Sequence, residues 1–171
     1  MTPLKYLRVW WLSIILVSLT GCQQFYTPKP TSTQFELVEV TVYFTNTNLY
    51  ATGTPPFEIP VKRVVPYGEN DPEAVVRLFF EGPTESERVQ GLEAITSGFE
   101  GISKLEIEGS IARVYLKGEC HSQGATYTVV QPLMKNLLQF EHIKYVKIYD
   151  EEGMTWEPEG ESNSIPPCLE P

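Results

Sequence analysis

Asn70-Asp71-Pro72-Glu73-Ala74-Val75-Val76-Arg77-Leu78-Phe79-Phe80-Glu81-Gly82-Pro83-Thr84-Glu85-Ser86-Glu87 is the stretch on which the reading of the fold turns. It offers two helix starts: Asp71 as the cap with Pro72 in the first helical position, or Asn70 as the cap with Glu73 reaching back. Val75, Leu78 and Phe79 follow at helical spacing and share one face. Gly82 tolerates a left-handed exit and Pro83 cannot continue the helix, so the chain turns there. Thr84 with Glu87 three residues on then signals a second, short helix that ends near Gly91.

On the N-terminal side, Leu37 to Phe44 alternates, with Val38, Val40, Val42 and Phe44 on one face, and reads as a strand. Thr45 to Pro60 carries Gly53 and Pro55-Pro56 and reads as a long loop. Val61 to Val65 reads as a shorter strand closed by Pro66. On the C-terminal side, Lys104 to Ile107 and Ile111 to Leu116 flank Glu108-Gly109-Ser110, which is the pattern of a β-hairpin with one wet face.

Gln123 to Phe140 is the longest helical candidate. Val129 or Val130, Leu133, Leu137 and Phe140 would face inward, and Lys135, Asn136 and Gln139 would face water. Pro132 requires either a kink or a start beyond Val129. Ile143 to Tyr149 has apolar residues on both faces, which suits a strand inside a sheet rather than at its edge. The order strand, strand, helix, hairpin, helix, strand specifies an α+β domain, with a small mixed β-sheet of about four to five strands and two main helices packed on one face.

The N-terminus is of another kind. Lys5 and Arg8 precede the apolar run Val9 to Leu19, which leads into Leu19-Thr20-Gly21-Cys22. A basic start, an apolar run and a small-residue site make a secretory signal, and the run falls short of the roughly 20 residues that a membrane-crossing helix needs. The final four residues resemble the bacterial lipobox. That resemblance implies cleavage after Gly21 and lipidation of Cys22, so that residues 1–21 are a lipoprotein signal peptide. Two or more acyl chains on Cys22 would tether the body to a membrane without spanning it. Residues 22–36, with Pro28 and Pro30, read as a tether, 37–153 as the domain, and 154–171 as a polar C-terminal tail.

Loss of the two basic residues of the signal takes the formal charge from −9 to −11. Such an acidic body has no footprint for a phosphate backbone, so nucleic acid is excluded as a partner, and anionic headgroups would repel it. With Cys22 lipidated, Cys120 and Cys168 remain as an even pair in an oxidising compartment, where a disulfide would pin the tail. The alternative keeps Cys120 as a buried free thiol and Cys168 loose in the tail.

These residues resemble the GerMN domain family, known from spore germination. The matching features are Val40-Thr41-Val42-Tyr43-Phe44, Pro60-Val61-Lys62-Arg63, Glu81-Gly82-Pro83-Thr84 and Glu87. They continue with Gly91-Leu92, the hairpin from Leu105 to Leu116, Gln131 through Leu137 to Phe140, and Val146-Lys147-Ile148 with Gly153. The resemblance implies an extracytoplasmic, often lipid-anchored, non-enzymatic module for contacts within envelope or sporulation assemblies. It also implies self-association, and it brings no catalytic residues. Pro132 and the tail with Cys168 depart from the pattern.

Candidates for chemistry are few. Adjacent residues point apart in strands and loops, so Cys120-His121 makes a poor thiolate pair. Cys120, His121 and His142 lack the close spacing of a metal site. Glu81-Gly82-Pro83-Thr84 is a turn for interaction or structure, in which Glu81 either contacts the turn's amides or stands as a solvated charge. Tyr43, Phe44, Tyr50, Phe57, Tyr67 and Trp156 are aromatic candidates for a protein contact or for stacking on wall sugars. Together the two resemblances and the lack of a reactive cluster imply a membrane-tethered interaction module of the cell envelope, with no enzyme activity and no cofactor expected. Its partner would be an envelope protein or a second copy. The alternative is a glycan-binding module on peptidoglycan, and behind that a cell-wall hydrolase.

Overall fold

The computed structural model describes residues 36–68 and 71–171. The expected signal peptide (1–21), Cys22 and the expected tether up to residue 35 lie outside the described residues, as does Asn70, the alternative cap. The chain folds as β1 (Leu37–Asn46), α1 (Thr47–Thr52), β2 (Glu58–Pro66), α2 (Pro72–Glu81), α3 (Glu85–Val89), β3 (Leu92–Glu93), β4 (Gly101–Glu108), β5 (Ile111–Lys117), α4 (Val130–Leu138) and β6 (Tyr145–Tyr149). A 3-10 turn, Pro167–Leu169, follows near the C-terminus. The α+β class is as the pattern specifies. The strands, however, divide between two three-stranded sheets, in the orders β2-β1-β3 and β4-β5-β6, instead of forming one sheet of four or five.

The reason for two sheets lies along one edge of β1. Val40 pairs with Arg63 and Val42 with Val61 in the β1–β2 ladder. The flanking bonds Asn46 N–H to Phe57 C=O and Tyr67 N–H to Glu36 C=O show that even-numbered residues of β1 bond to β2. The odd-numbered residues therefore direct their backbone groups to the other edge. There Thr45 pairs with Glu93 of β3. Beyond that point, helix α4 takes the place of a strand. The Asn136 side chain accepts from Tyr43 N–H at 2.9 Å and donates to Tyr43 C=O at 2.9 Å, and Gln139 donates to Thr41 C=O at 3.1 Å. With these groups satisfied, β4–β6 have no ladder to join and pair among themselves.

The other edge, on β2, is closed by sequence. Pro60 and Pro66 occupy outward-directed positions, where a missing N–H leaves nothing for a further strand to accept. Residues 45–60, read as a loop, in fact hold α1 and the first residues of β2. Helix α1 buries none of its residues and so carries no apolar periodicity. It rests on Asn46, whose side chain accepts from Leu49 N–H at 3.0 Å.

Helix α2 adopts the Asp71 register, with the Asp71 carboxylate accepting from Ala74 N–H at 2.8 Å and Pro72 in the first turn. It buries Ala74, Val75, Val76 and Phe79, with Leu78 only half-buried. Helix α4 begins at Val130, which places Pro132 in the first turn, where its missing N–H has no intrahelical partner to lose. No kink is needed. Helices α2 and α4 pack on each other, α2 also against β1 and β4, and α4 against β1 and β6. Phe44, Phe79, Leu133, Leu137, Val114, Leu116, Val146 and Ile148 meet in one core, with the rings of Phe44 and Phe79 stacked at 5.9 Å.

Strand β6 pairs in parallel with β5 and stands at the end of its sheet, not inside it. Its outer side is covered by the tail. Ile148 N–H bonds Ser164 C=O at 2.8 Å and Ser164 N–H bonds Val146 C=O at 3.1 Å. The fully buried Lys147 donates to the carbonyls of Glu157 at 2.6 Å and Glu159 at 3.1 Å, and to the Ser162 hydroxyl at 3.3 Å. These bonds explain why β6 is apolar on both faces while lying at an edge.

Candidate functional site

The corner Glu81-Gly82-Pro83-Thr84 is held from below. Gly82 has φ +84°, a conformation that side chains rarely adopt, and its N–H bonds Phe79 C=O at 3.1 Å. Pro83 is buried and Thr84 opens α3. The acid that reaches a backbone amide of this corner is Glu87, which accepts from Thr84 N–H at 2.7 Å. Glu81 is an exposed charge at the end of α2. Arg63, on the core-facing side of β2, grips Glu87 with two parallel bonds of 2.8 and 2.6 Å and lies over the Phe44 ring at 5.6 Å.

The Arg63 hydrogen bonds hold the Glu87 carboxyl down at about 2, and the same pair, with Glu81 nearby, raises Arg63. The corner therefore clamps α3 to the first sheet. Just beyond it Gly91, with φ +87°, packs so closely under the Asn48 amide that a Cβ would come within 2.4 Å of it, and its carbonyl accepts from Thr47 N–H at 2.9 Å. This accounts for Gly91-Leu92 as a sequence signal.

Cys120 and Cys168 form a disulfide with a Cα separation of 6.3 Å, and Ser122 donates to the Cys168 carbonyl beside it. His121 is exposed and lies 3.5 Å from the Glu119 carboxylate. His142 stands against the Phe140 ring at 6.0 Å. Among the described residues no group of three histidine, cysteine or acidic side chains is placed to hold a metal, and no helix is long and apolar enough to cross a membrane.

Of the aromatic candidates, Phe44 is core and Tyr43 lies under the Lys135 ammonium at 5.1 Å. Tyr50, Phe57 and Tyr127 form one cluster, with Tyr50 4.7 Å from Tyr127 and 5.3 Å from Phe57. Tyr127 donates to the Glu58 carboxylate at 2.6 Å; burial, and then that bond, push its phenol up. Trp156 is 57% exposed and Tyr67 69%.

Two clefts open on either side of Met134 in α4. One, of about 490 Å³, is lined by Tyr43, Glu58, Lys135, Leu138 and Met134. The other, of about 480 Å³, is lined by Val130, Met134, Trp156, Ile165, Glu157 and Glu170. A third, more polar hollow of about 710 Å³ lies over the second sheet, where Tyr115 stacks on Tyr149 at 4.5 Å. Its cation is spoken for: Arg113 donates to the Tyr149 hydroxyl at 3.0 Å and to Pro158 C=O at 2.7 Å.

A domain that joins an α2–α3 clamp to helices packed against two small sheets belongs to a recognised class. Residues 41–154 match the family model Germane, described as sporulation and spore germination, and the chain belongs to that family. Among solved structures it is similar to the tandem GerMN domains of the sporulation protein GerM from Bacillus subtilis, at 18% identity and a TM-score of 0.48. That match covers 68% of this chain and 43% of the other, so the chain spans less than half of that relative. No curated protein matches it.

Proposed function

We propose that this protein is a lipid-tethered, extracytoplasmic module of the bacterial cell envelope that acts by docking to another protein, without catalysis of its own. The observation that carries the reading is a Germane-family domain that follows Leu19-Thr20-Gly21-Cys22, which resembles a lipobox, and a short proline-containing stretch in one chain. Supporting it, Cys120 is closed in a disulfide, and Glu87, whose carboxyl Arg63 holds well below its usual range, is spent on holding α3 in place. Lipid on Cys22 would keep the acidic body at a bilayer while leaving its surfaces free to meet neighbours.

The test is affinity recovery of the intact lipoprotein from detergent-solubilised membranes, paired with co-sedimentation on purified peptidoglycan. The expected result is one reproducible envelope partner and no saturable sedimentation with the wall polymer. Recovery of no partner together with saturable wall binding would replace the reading with a glycan-binding module. Turnover of wall fragments that a carboxylate substitution abolished would replace it with an enzyme.

A further inference from the structure

Val130, Met134 and Leu138 lie one turn apart along α4, and Met134 lines the clefts on both sides. Leu138 is 40% exposed on one side and Trp156 57% on the other. Glu58, on the wall of the first cleft, accepts from Tyr127, whose ring packs on Tyr50, itself 41% exposed. Exposed apolar and aromatic side chains thus stand on both sides of Met134, Leu138 at one cleft and Trp156 at the other, where scattered single exposures would be the ordinary case.

We propose that this double cleft is the groove that receives a short polypeptide segment presenting two apolar side chains flanked by lysine or arginine. The inference gives the docking role proposed above its surface, and rests on that reading. Two lobes sharing Met134 suit two anchors. Glu58, Glu157 and Glu170 stand at the lobes against one ammonium, Lys135, which is engaged over Tyr43. A basic segment complements that rim, whereas a second copy of this acidic chain would bring the same carboxylates against it.

A sugar chain fits less well, because most of the amide and hydroxyl groups at the clefts are engaged internally. Asn163 accepts from Val146 N–H at 2.9 Å and Ser164 from Glu157 N–H at 2.7 Å. Gln131 accepts from Thr128 N–H at 2.8 Å, and Gln139 donates to Thr41 and Asn136 carbonyls. What remains is mainly carboxylate, which complements a cation better than the neutral hydroxyl groups of a sugar.

Once residues 1–21 are removed, Trp156 is the single tryptophan of the chain, so its emission reports this groove directly. The probes are a short tryptophan-free peptide of alanine, leucine and lysine, its counterpart with glutamate for lysine, and chitotetraose, each titrated into the mature lipoprotein in nonionic detergent. The expected result is a saturable blue shift with the lysine peptide alone. Met134→Gln should weaken it at least about tenfold, added salt should weaken it further, and Val89→Gln, on the exposed end of α3, should leave it unchanged. Equal binding of the glutamate peptide, a shift with chitotetraose alone, a shift produced by raising protein concentration, or indifference to Met134→Gln would each overturn the proposal. In the membrane recovery experiment, a partner still captured by the Met134→Gln variant refutes this surface but leaves the docking role standing. Failure to capture any partner with the native protein refutes the role itself.

Discussion

Glu87→Gln isolates the ion pair that fastens α3 to the first sheet. Glutamine keeps an oxygen to accept from Thr84 N–H, as capping boxes allow, while removing the charge that Arg63 grips. Arg63 holds the carboxyl at about 2 in the folded protein, against about 4.5 when free, and that difference corresponds to about 3 kcal/mol if none is screened. The two side chains are 18% and 16% exposed, so water screens part of the interaction, and the expected loss is about 1–3 kcal/mol at neutral pH.

The sign follows from a folded-state pKa that is depressed. The stabilisation is complete above the free value, declines as pH falls from about 4.5 toward about 2, and is absent below that. At pH 3 less than half of the neutral-pH difference between native protein and variant should remain, by that linkage. Urea unfolding of both proteins at pH 7 and pH 3, followed by Trp156 emission and far-UV circular dichroism, measures the difference. A native-minus-variant stability that is the same at both pH values, or indistinguishable from zero at pH 7, would refute the reasoning.

Asn136→Leu, similar in size, leaves Tyr43 N–H and C=O without partners at a fully buried position, and should cost about 2–4 kcal/mol in urea unfolding. A loss under about 1 kcal/mol would mean that the helix does not serve as a strand there. Lys147→Met removes three donated bonds that gather residues 157–162, and hydrogen exchange at Ser164 and Ile148 should quicken at least about tenfold; unchanged protection would count against the tail as the cover of β6. Replacing both Cys120 and Cys168 by alanine opens a loop with a sequence separation of 48, which chain entropy values at about 3–5 kcal/mol, and a variant as stable as the native protein would contradict a pinning role.

Local chemistry made much of this fold readable. Asp71-Pro72, Gly82-Pro83 and Thr84 with Glu87 announce α2, the corner and α3, because caps and exits depend on residues within one turn of the chain. The alternation in β1 and β5 is visible for a similar reason, since each has one buried face, whereas β4 buries no residue fully and Ile107 stands 40% exposed. Helix α1 escaped, because it buries nothing, and the start of β2 was hidden by Pro55, Pro56 and Pro60.

What distant residues decide was not legible. Asn136 looks like a water-facing helix residue until Tyr43, 93 residues away, supplies the partners that make its burial favourable. Lys147 looks like the polar residue of a strand until the tail folds three acceptors around its ammonium. The Arg63–Glu87 grip was half visible, with both residues recognisable in the family pattern and only their pairing absent. Trp156 was noticed as an aromatic candidate, but the groove it shares with Met134 arises only when the tail packs beside α4.

The proposed role requires acyl chains on Cys22 to hold this domain at a membrane. Mass spectrometry of the N-terminal fragment, on protein expressed in bacteria and purified from membranes, tests it most directly. The expected fragment begins at Cys22, carries acyl chains, and lacks Met1 to Gly21. A fragment that retains Met1, or one that begins at Cys22 with a bare thiol, would contradict it.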